Sequence, residues 1–150
     1  MAHSYTNLLY HLVFSTKERE PWLDDAIRPT LFKLLGGILK EEGGTPFIIN
    51  GVADHVHILN KLRPDKSLSH VMSDLKSRSS AWVHRTCPGL EVFSWQAGYG
   101  AFTVSQSKVE TVRTYIENQE EHHRRIPFQD ELRALLRKHG QEVDESLLWQ

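Results

Sequence analysis

The stretch NGVADHVHILNKL, residues 50–62, decides how this chain is read. Asn50-Gly51 is a two-residue hairpin signal. The residues from about Asp54 to Leu62 then read as the return strand, stopped by Pro64. Side chains alternate across a strand, so His55 and His57 share one face while Val56 and Ile58 share the other. The apolar face suits packing on helices. The histidine face carries two imidazoles side by side, a spacing that can bite one metal ion. It also fits a half-exposed strand with two unliganded histidines, because nine histidines in 150 residues supply roughly half an HxH pair by chance. Asn60 stands where another apolar residue is expected and marks either the strand end or a local adaptation.

Working outward, Tyr5 to Ser15 is rich in aromatic and branched residues and reads as a strand. Asp24 to Glu42 carries Ile27, Leu31, Leu34, Leu35, Ile38 and Leu39 at helical spacing and ends at Gly43-Gly44. Pro46 to Ile49 is strand-like. Ser67 caps a second helix whose buried side holds Leu68, Val71, Met72, Leu75, Trp82 and Val83. Phe93 to Val104 reads as one or two short strands broken by Gly98 and Gly100. Ser107 and Glu110 form a capping box that opens a third helix running to about Arg124. A fourth helix spans about Gln129 to His139, with Leu132, Leu135 and Leu136 inward, and Gly140 closes it. The tail SLLWQ is apolar enough to dock. The order strand, helix, strand, strand, helix, strand, helix predicts an α+β fold. Its form is a ferredoxin-like or RRM-like antiparallel sheet with helices on one face, plus a C-terminal helix. The second face is then expected to stay open for a site or a partner.

The length suits one domain, residues 1–150. The formal net charge is −1, so any nucleic-acid contact must come from a local patch. Cys87 is the one cysteine, which excludes an internal disulfide and favours a reducing compartment. The N-terminus lacks the pattern of a secretory signal, and no apolar run approaches membrane-spanning length. These features point to a cytoplasmic protein with no membrane partner.

The third helix places Tyr115 and Gln119 four residues apart on one face, with His122 continuing the stripe. Val109, Val112 and Ile116 form the adjoining apolar stripe. His122-His123 reads more simply as a surface pair. A tyrosine hydroxyl one turn from an amide oxygen, meeting a histidine pair on a sheet, makes a three-ligand metal site with an adjacent nucleophile. A metal there polarises a phosphodiester, and the tyrosine stores the bond energy in a covalent link.

These pieces together resemble a known family. GVADHVHIL at 51–59, WQAGYGAFTVS at 95–105 and YIENQEEHH at 115–123, supported by YHLVFSTKERE at 10–20, look like the single-tyrosine transposases of the HUH endonuclease superfamily, REP-associated tyrosine transposases included. The resemblance runs from about Tyr5 to His139. It implies His55, His57 and Gln119 as ligands of a divalent ion. It implies Tyr115 as the nucleophile that cuts single-stranded DNA to a 5′-phosphotyrosine and a free 3′-hydroxyl. It further implies DNA hairpins near element ends as the substrate, and a homodimer in which Tyr115 can complete the partner's site. Magnesium prefers oxygen ligands whereas imidazole suits manganese, so Mg2+ in cells, with Mn2+ as an effective substitute, is expected. Two histidines and an amide would be an unusual zinc set.

Charge is uneven along the chain. Lys61, Arg63, Lys66, Lys76, Arg78 and Arg85 stand against Asp65 and Asp74 and form either a phosphate track beside the histidine strand or an ordinary solvated face. Arg124 and Arg125 follow the tyrosine helix and suit a hairpin backbone. A protein bound there would be nucleoid-associated. Trp95 and Tyr99 offer stacking surfaces for an unpaired base or core packing. Two other classes remain open: a non-catalytic hairpin-binding module of the same fold, and a small zinc or phosphoesterase domain.

Overall fold

The computed structural model describes residues 3–148. Four strands, β1 (Leu8–Ser15), β2 (Gly44–Gly51), β3 (His55–Leu62) and β4 (Gly100–Val104), form one sheet in the order β2-β3-β1-β4. All neighbours pair antiparallel. Helices α1 (Arg28–Glu41) and α2 (Leu68–Thr86) lie between strands in sequence and pack on one face. This is the ferredoxin-like arrangement that the element order predicts. Leu12, Phe14, Val56 and Ile58 meet Leu31, Leu35 and Ile38 of α1 and Val71, Met72 and Leu75 of α2 in the main core. Each of these side chains is almost wholly excluded from water, and each contributes about 1.5–3 kcal/mol by burial.

The second face is not open. Helices α3 (Val109–Glu117), α4 (Gln119–His123) and α5 (Phe128–Lys138) follow β4 and cover it. Phe128 and Leu132 of α5 close over Val13 and Phe102 as a smaller apolar cluster. A short helix, α6 (Glu145–Leu148), ends the described chain. Of the apolar tail, Trp149, Gln150 and the side chains of Leu147 and Leu148 lie outside the described residues.

Several local readings shift. Asn50 and Gly51 belong to β2, and residues 52–54 make the turn. A Cβ on Gly51 would stand 2.2 Å from the His55 carbonyl oxygen, so glycine is needed for close approach. The first helix starts at Arg28 because Asp24 Oδ1 accepts from the backbone N–H of Ala26 and Ile27, both at 3.0 Å, in a turn that precedes it. Ser67 does cap α2, accepting from the His70 N–H at 3.4 Å. The Ser107/Glu110 capping box does not form: Lys108 holds the N-cap position of α3 without a side-chain cap bond. The third helix also divides at Asn118. Asn50 Nδ2 donates to the carbonyls of Ile116 at 2.9 Å and Glu117 at 3.2 Å. It thereby satisfies helix-end acceptors and ties α3 to β2. Asn60 does not end its strand. It is fully buried on the core face, and its amide has no hydrogen-bond partner among the described residues.

Gly51→Ala is expected to destabilise the chain by about 1–3 kcal/mol through overpacking of the β2–β3 turn. Urea denaturation of the two proteins checks this, and an unchanged midpoint would remove the steric argument.

Candidate functional site

The site begins with the alternation of β3. His55 and His57 point away from the main core and are both fully buried beneath α3, α4 and α5. Their Nδ1 atoms are held from behind. His55 Nδ1 lies 2.7 Å from Asp54 Oδ1, and His57 Nδ1 lies 2.8 Å from His11 Nε2 on β1. Both Nε2 atoms therefore face the helices. The His55 ring stacks on Phe128 at 4.2 Å between centroids, which fixes its plane.

Glu131 on α5 meets these nitrogens. Its Oε1 is 2.8 Å from His57 Nε2, 3.1 Å from His123 Nε2 and 3.4 Å from His55 Nε2. Its Oε2 accepts from the Tyr115 hydroxyl and, at 3.2 Å, from Gln119 Nε2. Gln119 is buried, with Oε1 at 3.0 Å from His123 Nε2 and 3.3 Å from His55 Nε2. His123 Nδ1 donates to the Ile126 carbonyl at 2.7 Å. His122 sits beside Tyr115, its ring 5.3 Å from the phenol and its Nε2 3.2 Å from Glu131 Oε2.

The structure thus brings together His55, His57, Tyr115 and Gln119, the four residues singled out in the sequence. It adds Glu131, His123 and His11. The surface-pair reading of His123 is overturned, because its Nε2 belongs to the cluster. Residues His55, His57, His123 and Glu131 each offer a ligand atom within 4.8 Å of the others. The donor set fits a divalent ion. Ligand pairs on an ion with bonds of about 2.1 Å stand roughly 3.0–3.4 Å apart, close to the separations given above.

The electrostatics follow from burial and pairing. Burial pushes the Glu131 carboxyl up, but hydrogen bonds with His123, His55 and His57 outweigh it and hold the group well below the usual carboxylate range. Burial draws His57 down to about 4 and, aided by His57, draws His11 down to about 3. Burial also lowers His55, but Asp54 and Glu131 raise it above its ordinary value. The Tyr115 phenol is pushed up by burial and then by Glu131.

Tyr115 and Glu131 also line a cavity of about 720 Å3 between α3, α5 and β4, with Lys108 and Lys138 among its other walls. The basic residues are scattered. The sheet separates Lys76, Arg78 and Arg85 on α2 from Tyr115. Lys76 is half-buried, donates to the Gln96 carbonyl at 2.8 Å and to that of Gly98, and is lowered by burial to about 8. Arg63 pairs with Asp65, Arg78 with Glu41, and both Arg124 and Arg125 with Glu121. Lys61, half-buried, lies on the histidine face of β3, Lys66 precedes α2, and Arg85 stands in its last turn. Trp95 is buried and donates to Ser79 Oγ at 2.9 Å, so it is a core residue. Tyr99 is exposed.

The Transposase IS200-like family model matches residues 4–119. The transposase for insertion sequence element IS200 from Salmonella typhimurium is 27% identical over 124 residues, covering 79% of this chain and 81% of that protein. The ISDra2 transposase TnpA from Deinococcus radiodurans is 26% identical over 117 residues, covering 75% and 84%. Among solved structures, a chain from Deinococcus radiodurans described as a transposase candidate superposes with a TM-score of 0.65 at 27% identity, covering 79% of this chain and 96% of that one. A REP-associated tyrosine transposase bound to a REP hairpin gives 0.55 at 13% identity, covering 79% and 68%, a likeness of fold.

Metal-free protein is expected to lose stability as the pH falls. His11 and His57 bind a proton less readily folded than unfolded. Their contribution is therefore complete above the unfolded value of 6.5 and is lost toward about 3 for His11 and about 4 for His57. Glu131 acts in the same direction at lower pH, while His55 acts with the opposite sign. The urea midpoint should fall between pH 6.5 and 4, and the fall should be shallower in His11→Gln. A midpoint that rises over this range would contradict the assignment.

Proposed function

Because this chain belongs to the IS200-like transposase family, we propose that it cuts and rejoins single-stranded DNA through Tyr115. The observation that carries the reading is the convergence of the Tyr115 hydroxyl, through one carboxylate, on the buried His55 and His57 imidazoles. The phenol oxygen attacks the scissile phosphorus, the P–O3′ bond breaks, and the departing 3′-oxygen takes up a proton. A 5′-phosphotyrosine remains. The 3′-hydroxyl of a second strand then attacks the same phosphorus and releases Tyr115, which regains its proton. A divalent ion, when bound, would neutralise charge developing on the phosphate, and His55, His57 and Gln119 are the residues proposed to hold it.

The cavity that reaches Tyr115 gives a single strand a route to the nucleophile. Lys61, Arg63, Lys66, Lys76, Arg78, Arg85, Arg124 and Arg125 are the proposed phosphate contacts, of which Lys76 is the most engaged within the fold. A DNA hairpin is the proposed form of the substrate, in keeping with the hairpin held by the REP-associated relative. The family resemblance implies a homodimer that shares its sites. Within one chain, Tyr115 reaches the histidine cluster through Glu131. No helix among the described residues is long and apolar enough to cross a membrane. We place the protein in the cytoplasm, at the nucleoid when bound to DNA.

Single-stranded oligonucleotides from the flanks of the gene, incubated with Mn2+ and resolved on denaturing gels, should give a protein–DNA adduct. Tyr115→Phe should abolish it while hairpin binding persists, and an adduct surviving that change would sink the nucleophile assignment. His57→Ala should weaken metal binding and cleavage together. Hairpin binding without any adduct from wild-type protein would mark a non-catalytic binding module.

A further inference from the structure

We propose that the metal centre is a nitrogen-rich site completed by His123 and Glu131, and that it selects a transition ion such as Mn2+, Co2+ or Zn2+ over Mg2+. This rests on the metal-dependent reading above and narrows it. Both added residues lie beyond the span 4–119 that the family model matches.

The positions of the hydrogens decide which atoms can bind an ion. A carbonyl oxygen only accepts, so the His123 Nδ1 facing Ile126 O at 2.7 Å carries the proton. The Nε2 of the neutral ring then presents a lone pair. His55 Nδ1 faces the Asp54 carboxylate at 2.7 Å in the same way. Gln119 Nε2 donates to Glu131 Oε2 at 3.2 Å and to the Tyr115 carbonyl at 3.4 Å, which turns its Oε1 inward. With both rings neutral, His55 Nε2, His123 Nε2, Gln119 Oε1 and Glu131 Oε1 converge as electron-pair donors, and a proton on either Nε2 is held by Glu131 until an ion displaces it. The two imidazole nitrogens stand only 2.9 Å apart. Acceptors packed this closely in a buried site repel one another, and a shared cation reverses the sign.

The donor types then choose the ion. Mg2+ takes oxygen ligands and keeps several waters, whereas three imidazoles, a carboxylate and an amide suit first-row transition ions. The rings are also braced as ligating histidines are. Asp54, His11 and the Ile126 carbonyl each hold one Nδ1, so every Nε2 is aimed before an ion arrives. Glu131 also bridges two groups, because Oε1 faces the centre while Oε2 holds the Tyr115 hydroxyl. One carboxylate therefore links the ion to the nucleophile.

The test is metal binding by the full-length chain without DNA. Mg2+, Mn2+ and Zn2+ are each titrated in competition with a fluorescent chelator, and Co2+ is followed by its visible absorption. Zn2+ and Mn2+ should bind at least about a hundredfold more tightly than Mg2+. His123→Ala and Glu131→Gln should each weaken them by about 10–100-fold and alter the Co2+ bands. Circular dichroism verifies folding, and Glu131→Asp provides a second variant, expected to keep a carboxylate but misplace it and so bind with intermediate affinity. Mg2+ binding as tightly as Mn2+ would overturn the proposal. So would wild-type affinity in both His123→Ala and Glu131→Gln while His57→Ala abolishes binding, an outcome that leaves the histidine-strand site standing. Wild-type affinity in all variants, His57→Ala included, would remove that site as well.

Discussion

A carboxylate buried among imidazoles is the constraint around which the second layer of this protein is organised. Glu131 is 3% exposed, and an ionised carboxylate at that depth is tolerable only when its lone pairs are met. Here one oxygen faces His55, His57 and His123, and the other meets Tyr115 and Gln119. Those partners come from β3, α3 and α4, while Glu131 itself stands on α5. Removing Tyr115 or Gln119 would take a hydrogen-bond donor from Oε2. The site thus orders the helices that enclose it, in addition to the modest apolar contact of Phe128 and Leu132.

This arrangement depends on a strand with two different faces. Val56 and Ile58 anchor β3 in the main core, while His55 and His57 face the other way. A slip of one residue in register would exchange the sets. Pairing to β1 fixes the register on one side, placing Val13 opposite His57. Pairing to β2 fixes it on the other, placing Asn50 opposite His57. Asn50 then binds the end of α3 and holds the helix that carries Tyr115 over the histidines. Sheet register and the position of Tyr115 are therefore set by the same few residues.

How much of this is legible in the sequence depends on range. Period-two alternation exposed the histidine face of β3, and the helical stripes of Leu31–Ile38 and Val71–Leu75 located the main core. The family resemblance joined His55 and His57 to Tyr115 and Gln119. Glu131, by contrast, lies 74 residues from His57, in a helix whose visible signal was Leu132, Leu135 and Leu136. Nothing local distinguishes its carboxylate from the solvated acids beside it. His123 was masked by its neighbour, since an HH pair near Arg124 and Arg125 has the look of surface. His11 sat within an aromatic strand, and only the β1–β3 register brings it to His57. The helix break at Asn118 and the coverage of the second face are likewise tertiary outcomes. Asn50 reads as a turn residue until α3 is there to be capped. For Trp95, readable as either a stacking surface or core, the structure decides for core, because Ser79 and Phe93 enclose it.

Charge balance sets what Tyr115 and the neighbouring His/Glu cluster would require of a reaction. Burial and Glu131 both disfavour loss of the Tyr115 proton. A phosphodiester arriving beside them would add a further negative charge, and attack by the phenol oxygen would move more negative charge onto the phosphate. In a site of low dielectric these terms all oppose reaction. The imidazoles, neutral when their Nδ1 atoms donate to Asp54 and Ile126, supply lone pairs and no compensating charge. A cation held among His55, His57, His123, Gln119 and Glu131 would change the sign of the whole sum at once: it would offset the carboxylate and favour a phosphate beside it. The same contact with Glu131 that disfavours loss of the Tyr115 proton also holds the hydroxyl beside the histidine cluster.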